Sequence, residues 1–225
     1  MSDYQKVANM LTVQDELNKQ FIGEDWCDKS EGVKFNWARY QRVEAVELMV
    51  HYNTFKHWKK PEPDIEQARI ELIDIWHFIL AELLYMECDM DYIESCVDAF
   101  GEGMQYAADQ PVIVNDVVDA FVSSTYGEIE DSMYNFGMLH TLLDVDLDWA
   151  TGYYLGKVAL NKLRIEKGQY EGTYVKHWGK EQLEDNVYLE NILQGCLAAG
   201  TTITVKHVLD QLRETYDKEV TQDAH

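Results

Sequence analysis

The 225-residue chain predicts an all-α protein, a helical bundle built on antiparallel helices. Apolar residues recur at the spacing of one helical face through most of the chain, and no alternating pattern of useful strand length appears. With only three prolines, breaks in helical hydrogen bonding are rare and easy to place.

The spacing of Val7, Met10, Leu11, Leu17 and Phe21 predicts a first helix from about Tyr4 to Gln20, followed by a loop carrying Gly23, Asp25 and Gly32. A second helix runs from about Asn36 to Trp58 and stops at Lys59-Lys60-Pro61-Glu62-Pro63, where prolines end the ladder. Asp64 is the expected N-cap of a third helix reaching about Glu87. From Cys88 to Asp148 the pattern stays helical, with breaks expected near Gly101 to Gly103, at Gln110-Pro111 and at Gly137, and two helices are predicted there. Another helix spans about Leu147 to Lys167. Gly168, Gly172 and Gly179 then punctuate an irregular, tyrosine-rich stretch. Helices near Glu181 to Ala199 and Thr204 to Val220 close the chain, and Thr201 to Val205 is the one segment that passes for a short strand.

Length and composition fit a single domain over residues 1–225, with 46% hydrophobic and 27% charged residues. The stretch Met1 to Gln20 carries Asp3, Lys6, Asp15 and Glu16, which leave no uninterrupted apolar run for a signal peptide. No later segment reaches the roughly 20 apolar residues a membrane helix needs. The expectation is a soluble, cytoplasmic protein without a membrane partner. Cys27, Cys88, Cys96 and Cys196 form no C-x-x-C pair and read as reduced thiols. A net charge of −22 argues against nucleic acid as a partner, because phosphate backbones are bound by clustered Lys and Arg. A small phosphorylated ligand needs local lysines and a divalent cation to overcome that field.

Glu44 and Glu47 lie three residues apart, and Glu71 and Asp74 repeat the spacing on the next helix, so each pair projects from one face. Val43, Val46, Leu48, Met49 and Val50 surround the first pair; Ile70, Leu72, Ile73, Ile75 and Trp76 surround the second. A helix apolar nearly all round is a buried helix, so the four acids are expected inside the bundle, where each unpaired charge costs several kcal/mol. Counting about 16 Å back from Trp58 to Glu47 and about 10 Å on from Asp64 to Glu71 levels the two pairs across the hairpin. Inward carboxylates can then meet around one or two cations. Mg²⁺ suits oxygen ligands best, with Mn²⁺ a permissive substitute. Salt bridges to Arg39, Arg42 and Arg69 are the bland alternative, and a di-iron bundle is another, although only Asp74-x-x-His77 approaches its E-x-x-H element.

Lys157, Asn161 and Arg164 fall at i, i+4 and i+7 of one helical face in an otherwise acidic chain. They offer an ammonium, an amide and a guanidinium fork to one phosphate, or form a solvated cationic face. Tyr170, Tyr174 and Lys176 follow on a glycine-broken loop. Phe55, His57, Trp58, Lys59 and Lys60 place aromatic surface beside positive charge, to stack on a base or to staple the turn. The amides of Gln14 and Asn18, at i and i+4, are suited to reading a base edge or to the surface.

Together these residues resemble the dimeric dUTPases of the all-α nucleoside triphosphate pyrophosphatases. The resemblance rests on Val13 to Asn18, Glu44-x-x-Glu47, Phe55 to Lys59, Glu71 to Phe78, and Gly156 to Arg164 continuing through Gly168, Tyr170, Gly172, Tyr174, Lys176 and Trp178. It implies a homodimer that hydrolyses dUTP, and also dUDP, at the α-phosphorus to give dUMP. Glu44, Glu47, Glu71 and Asp74 would hold two or three Mg²⁺ ions, with Glu47 orienting the attacking water. Lys157, Asn161, Arg164, Tyr170 and Lys176 would contact phosphate and nucleoside. Gln14, Asn18, Trp58, Lys59, His77 and Phe78 would line the substrate pocket. The spacer Gly168-Gln169-Tyr170 is one residue longer than the family's Gly-Tyr, which loosens the transfer to Tyr170, and Cys88 to Asp148, a variable part of the family, contributes nothing to the resemblance. The rival readings are a sibling enzyme with dCTP or broader specificity, an acidic helical interaction protein without catalysis, and an iron-dependent oxidase.

Overall fold

The computed structural model describes residues 1–30, 32–52 and 62–221. The chain divides into two compact units, 1–150 and 151–225. Among the described residues the fold is all-α apart from one two-residue strand pair. None of their helices is long and apolar enough to cross a membrane.

In the first unit, α1 (Asp3–Ile22), α2 (Trp37–His51), α3 (Ile65–Tyr85), α4 (Met90–Asp109), α5 (Val114–Ser124) and α6 (Ile129–Leu142) follow in order. Side-chain caps set several starts. Ser2 and Gln5 form a capping box on α1, Asn36 accepts from the Arg39 N–H at 2.9 Å, and Asp64 caps α3 as its sequence predicts, accepting from the Gln67 N–H at 3.2 Å. Helix α3 is the buried centre: Leu72, Ile73, Ile75, Trp76, Ile79 and Leu80 are fully enclosed, in keeping with its apolar circumference.

Three helices, not two, occupy residues 90–142, and the glycines expected to break them do not. Gly103 and Gly137 lie inside α4 and α6, where they let the two backbones touch. A Cβ on Gly103 would come within 1.9 Å of the Tyr134 carbonyl oxygen, and one on Gly137 within 2.1 Å of that of Phe100. Helical glycine is here a packing residue, a role that a one-dimensional pattern does not distinguish from a break. The Trp76 indole is enclosed by Phe100 and Phe136 and donates to His140 Nε2 at 2.8 Å.

Helix α2 departs from expectation. It buries only Trp37, Gln41, Ala45 and Leu48, one stripe packed on α3. Val43, Val46 and Val50 are 48%, 49% and 44% exposed, so the apolar circumference does not signify burial within the chain, and Glu47 is exposed rather than interior.

Helix α7 (Leu147–Glu166) runs across the boundary at 150/151. In the second unit, the strands β1 (His177–Trp178) and β2 (Leu183–Glu184) pair antiparallel, and α8 (Asp185–Ala198) and α9 (Val205–Thr221) complete the chain. Thr201 to Thr204 carry no strand. The unit's core holds Trp178, Leu193, Val208 and Leu212, all fully buried.

Candidate metal and nucleotide site

The α2/α3 hairpin places the acids. The Asp64 N–H donates to the His51 carbonyl at 2.9 Å, so the last residue of α2 and the cap of α3 stand at one level. Seven residues back along α2 is Glu44 and seven residues on along α3 is Glu71, each about 10 Å from that anchor. Glu47 lies about 6 Å from it and Asp74 about 15 Å. The register therefore differs from the one drawn with a helix ending at Trp58: Glu71 is level with Glu44, and Asp74 is a turn beyond.

Glu44, Glu47 and Glu71 each offer a carboxylate oxygen within 4.8 Å of the others. Oxygens on one Mg²⁺ octahedron are separated by roughly 2.9 to 4.2 Å, given bonds of about 2.0 to 2.1 Å. Side-chain rotation that draws the oxygens together by up to about 2 Å would bring all three into one coordination sphere. Glu71 is buried at 8% exposure, and an all-oxygen donor set suits a hard divalent cation. Asp74, half-buried, falls outside this group.

Two of the three arginines offered as the bland explanation, Arg42 and Arg69, have side-chain partners elsewhere. Arg42 donates to Thr125 Oγ1 at 2.8 Å and lies over the Tyr126 ring. Arg69 donates to the Leu143 carbonyl at 2.8 Å and to Glu66 at 3.0 Å. His51, absent from the sequence reading, has Nε2 3.4 Å from Glu71 Oε1. Its i+4 spacing from Glu47 was the available signal.

Gln14, Asn18 and His77 are joined in the first unit and nearly enclosed, at 3%, 5% and 7% exposure. His77 Nδ1 lies 2.9 Å from Gln14 Oε1, and Gln14 Nε2 donates to Asn18 Oδ1 at 2.8 Å. The Asn18 amide nitrogen, buried, has no hydrogen-bond partner among the described residues. Phe78 is half-buried and joins an aromatic wall, 5.3 Å from Tyr40 and 6.2 Å from Trp37 between ring centroids. Trp37 was not singled out in the sequence. Trp58 and Lys59, with Phe55, His57 and Lys60, lie outside the described residues.

In the second unit, Lys157, Asn161 and Arg164 share a face of α7 as their spacing predicts. Lys157 is buried, at 5% exposure, and its Nζ lies 3.4 Å from Asn186 Oδ1. Arg164 donates through Nη1 to Asn161 Oδ1 at 3.3 Å. Its Nε and Nη2 form a two-pronged contact with Asp185, at 2.7 and 2.9 Å. Tyr174, rather than Tyr170, is the more buried tyrosine: half-buried, it donates its hydroxyl to Asp185 Oδ2 at 2.7 Å, while Tyr170 is 58% exposed. Lys176 Nζ lies 3.4 Å from Glu184. Asp185 was missed. It follows Arg164 by 21 residues in a chain with 41 acids, and no local pattern marks it. Burial drives its carboxyl upward, but the Arg164, Tyr174 and Lys157 groups outweigh this and hold it below its usual range.

A dUTPase family model matches residues 6–170. The chain belongs to the dUTPase family. This is the all-α dimeric dUTPase family, and the chain is accordingly an enzyme, a dUTP diphosphatase, with a nucleotide substrate. Membership sets aside the non-catalytic and oxidase readings. The family match takes in the three converging glutamates, the Gln14–Asn18–His77 chain and the α7 cations, and it stops before Tyr174, Lys176 and Asp185. No curated protein matches the chain at a significant level.

Proposed function

We propose that the chain is a Mg²⁺-dependent dUTP pyrophosphatase that hydrolyses dUTP, and also dUDP, to dUMP by attack of water on the α-phosphorus, and that it works in the cytoplasm as a homodimer. The observation that carries this reading is the convergence of Glu44, Glu47 and Glu71 oxygens within 4.8 Å. Three carboxylates this close favour a cation between them.

Glu44, Glu47 and Glu71 would hold a first divalent ion, and Asp74, a turn farther on, would contribute to a second. When bound, such ions lower the pKa of water and neutralise charge on phosphoryl oxygens. Glu47, the most exposed of the three, is assigned to accept a hydrogen bond from the attacking water. Lys157, Asn161, Arg164, Tyr170 and Lys176 are assigned to phosphate and nucleoside, where cationic donors offset the charge on the departing pyrophosphate. Trp58 and Lys59 keep their assignment from the family resemblance. Residues 1–225 act as one functional domain.

Base choice follows from the amide chain. With the proton on His77 Nδ1, the imidazole donates to Gln14 Oε1, Gln14 Nε2 donates to Asn18 Oδ1, and Asn18 presents an N–H. A donor there suits the O4 carbonyl of uracil and meets another donor in the amino group of cytosine, which favours dUTP over dCTP. The homodimer reading is supported by Val43, Val46 and Val50, an apolar stripe on α2 exposed within the chain.

The test is nucleoside monophosphate formation, with pyrophosphate as co-product from dUTP, dCTP and dTTP and orthophosphate from dUDP, measured with Mg²⁺, with Mn²⁺ and with chelator. Mg²⁺-dependent release of pyrophosphate and dUMP from dUTP is expected, with dCTP much slower. Metal-independent turnover, or faster turnover of dCTP, would overturn it.

A further inference from the structure

The buried acid at the start of α8 has no part in the reaction as written, yet Arg164 and Tyr174 both donate to it. Asp185 is completely enclosed, at 0% exposure, and an isolated carboxylate there would be costly. It is compensated on several sides. Arg164 donates through Nε and Nη2 at 2.7 and 2.9 Å, and Tyr174 OH donates at 2.7 Å. The Asp185 N–H donates to the Lys176 carbonyl at 3.0 Å, which ties the same residue to the glycine-broken loop. As the first residue of α8, it also puts negative charge at a helix N-terminus, where the backbone dipoles favour it.

A guanidinium has two edges that can form a fork. Asp185 takes the Nε/Nη2 edge and Asn161 Oδ1 lies 3.3 Å from Nη1, so a phosphate contact by Arg164 runs through the Nη1/Nη2 edge, in the direction Asp185 and Asn161 together impose. Tyr174 cannot drift away: its ring stacks on Tyr216 at 5.8 Å and 14°, and Tyr216 OH accepts from the Val175 N–H at 3.5 Å. The arrangement is a fixed mount for one cation, built from residues beyond the matched segment.

We propose that Asp185 is a positioning residue of the pyrophosphatase reaction: it clamps Arg164 by one edge and Tyr174 by its hydroxyl, so that the guanidinium meets the nucleotide's phosphates in a single orientation. The inference rests on the phosphate role given to Arg164 above. It assigns Asp185 no contact with substrate.

The experiment is a double-mutant cycle on the full chain, with dUTP turnover and competitive inhibition by inorganic pyrophosphate as readouts. Asp185→Asn keeps the shape and an acceptor for Tyr174 but turns a donor toward the guanidinium. Misplacing a phosphate-binding group by about 1 Å costs on the order of 100-fold, so kcat/KM is expected to fall about 10- to 100-fold, with weaker inhibition by pyrophosphate. In an Arg164→Lys background, which has no fork to orient, adding Asp185→Asn should cost no more than about twofold further. If Asp185→Asn does not fold, Asp185→Glu decides. It keeps the charge, moves the carboxylate by one methylene, and is expected to lose activity and pyrophosphate inhibition while melting within a few degrees of wild type. Wild-type kinetics in a folded Asp185→Asn or Asp185→Glu variant, or independent costs in the cycle, would overturn the inference and leave the dUTPase reading standing. A wild-type chain inactive on dUTP would bring down that reading and this one with it.

Discussion

Replacing Glu71 by Gln removes one charge from the three-glutamate group with almost no change of shape. At 4.8 Å, two carboxylates repel by about 0.9 kcal/mol in water and about 3.5 kcal/mol at an effective dielectric of 20. Glu47 is exposed and Glu44 half-buried, so screening puts the relief on the order of 1 to 3 kcal/mol. Without metal, and net of the weakened His51 contact at 3.4 Å, Glu71→Gln should melt up to a few degrees above wild type, since about 1 kcal/mol corresponds to roughly 2 to 4 °C in a chain of this size. Mg²⁺ should reverse the order. At about 100 times its Kd, an ion bound only to the folded state adds about 2.7 kcal/mol; wild type gains most of this and the variant little, because a neutral amide is a weaker ligand. Turnover should fall by at least about 10²-fold. Scanning calorimetry with chelator and with Mg²⁺, alongside pyrophosphate release, reads both effects. A variant that keeps the wild-type Mg²⁺ shift and turnover would refute the metal-site assignment.

Asp74→Asn should retain part of the Mg²⁺-induced thermal shift, because the three-glutamate group is intact, yet lose turnover; loss of the entire shift would place Asp74 on the first ion instead. Gly103→Ala and Gly137→Ala should each cost toward the upper end of about 1 to 3 kcal/mol in urea unfolding. Their new Cβ atoms, at 1.9 and 2.1 Å from backbone oxygens, need more than 1 Å of helix separation to reach ordinary C···O distances of about 3.3 Å. Gly101→Ala, with nothing within 4 Å, should stabilise by about 0.5 to 1 kcal/mol. His140 is buried and neutral, its pKa lowered to about 3 by burial against the opposing pull of the Val145 carbonyl. An unfolded histidine titrates near 6.5, so between these values the unfolded state binds a proton the folded state refuses, and stability falls as pH drops from about 6.5. Unfolding free energies from pH 7 to pH 5 should lose up to about 1.4 kcal/mol per unit relative to His140→Phe; parallel profiles would refute it.

Periodicity made α1 and α3 legible because each presents apolar residues to a continuous core: Val7, Met10, Leu11 and Leu17 of α1 are all buried. It misjudged α2 because an apolar face records only that something covers it, and Val43, Val46 and Val50 are about half exposed, at 48%, 49% and 44%. It misjudged residues 90–142 because a glycine that thins a helix for a neighbour looks the same as one that ends it. Gly103 and Gly137 are explained by each other's helices, 34 positions apart. The candidate site divides the same way. Glu44, Glu47 and Glu71 were visible as local spacings on two adjacent helices, and Lys157, Asn161 and Arg164 as a local spacing on one. Asp185 was not, since its meaning comes from a partner 21 residues away.

The anchor between the Asp64 N–H and the His51 carbonyl makes the four acids unequal, and the inequality has a chemical use. Levelled about that bond, Glu44 and Glu71 face each other while Asp74 stands three residues, or about 4.5 Å, farther along the hairpin axis. That offset is close to the 3.5 to 4 Å between ions in two-metal phosphoryl-transfer sites. A register that put all four carboxylates at one height would crowd them around a single ion and leave a second with nothing to hold it. A slip by a full turn would separate Glu71 from Glu44 and dissolve the first site. The hairpin register marked by this backbone hydrogen bond thus sets Glu44 level with Glu71 and Asp74 beyond them, the offset that the proposed two-cation arrangement requires.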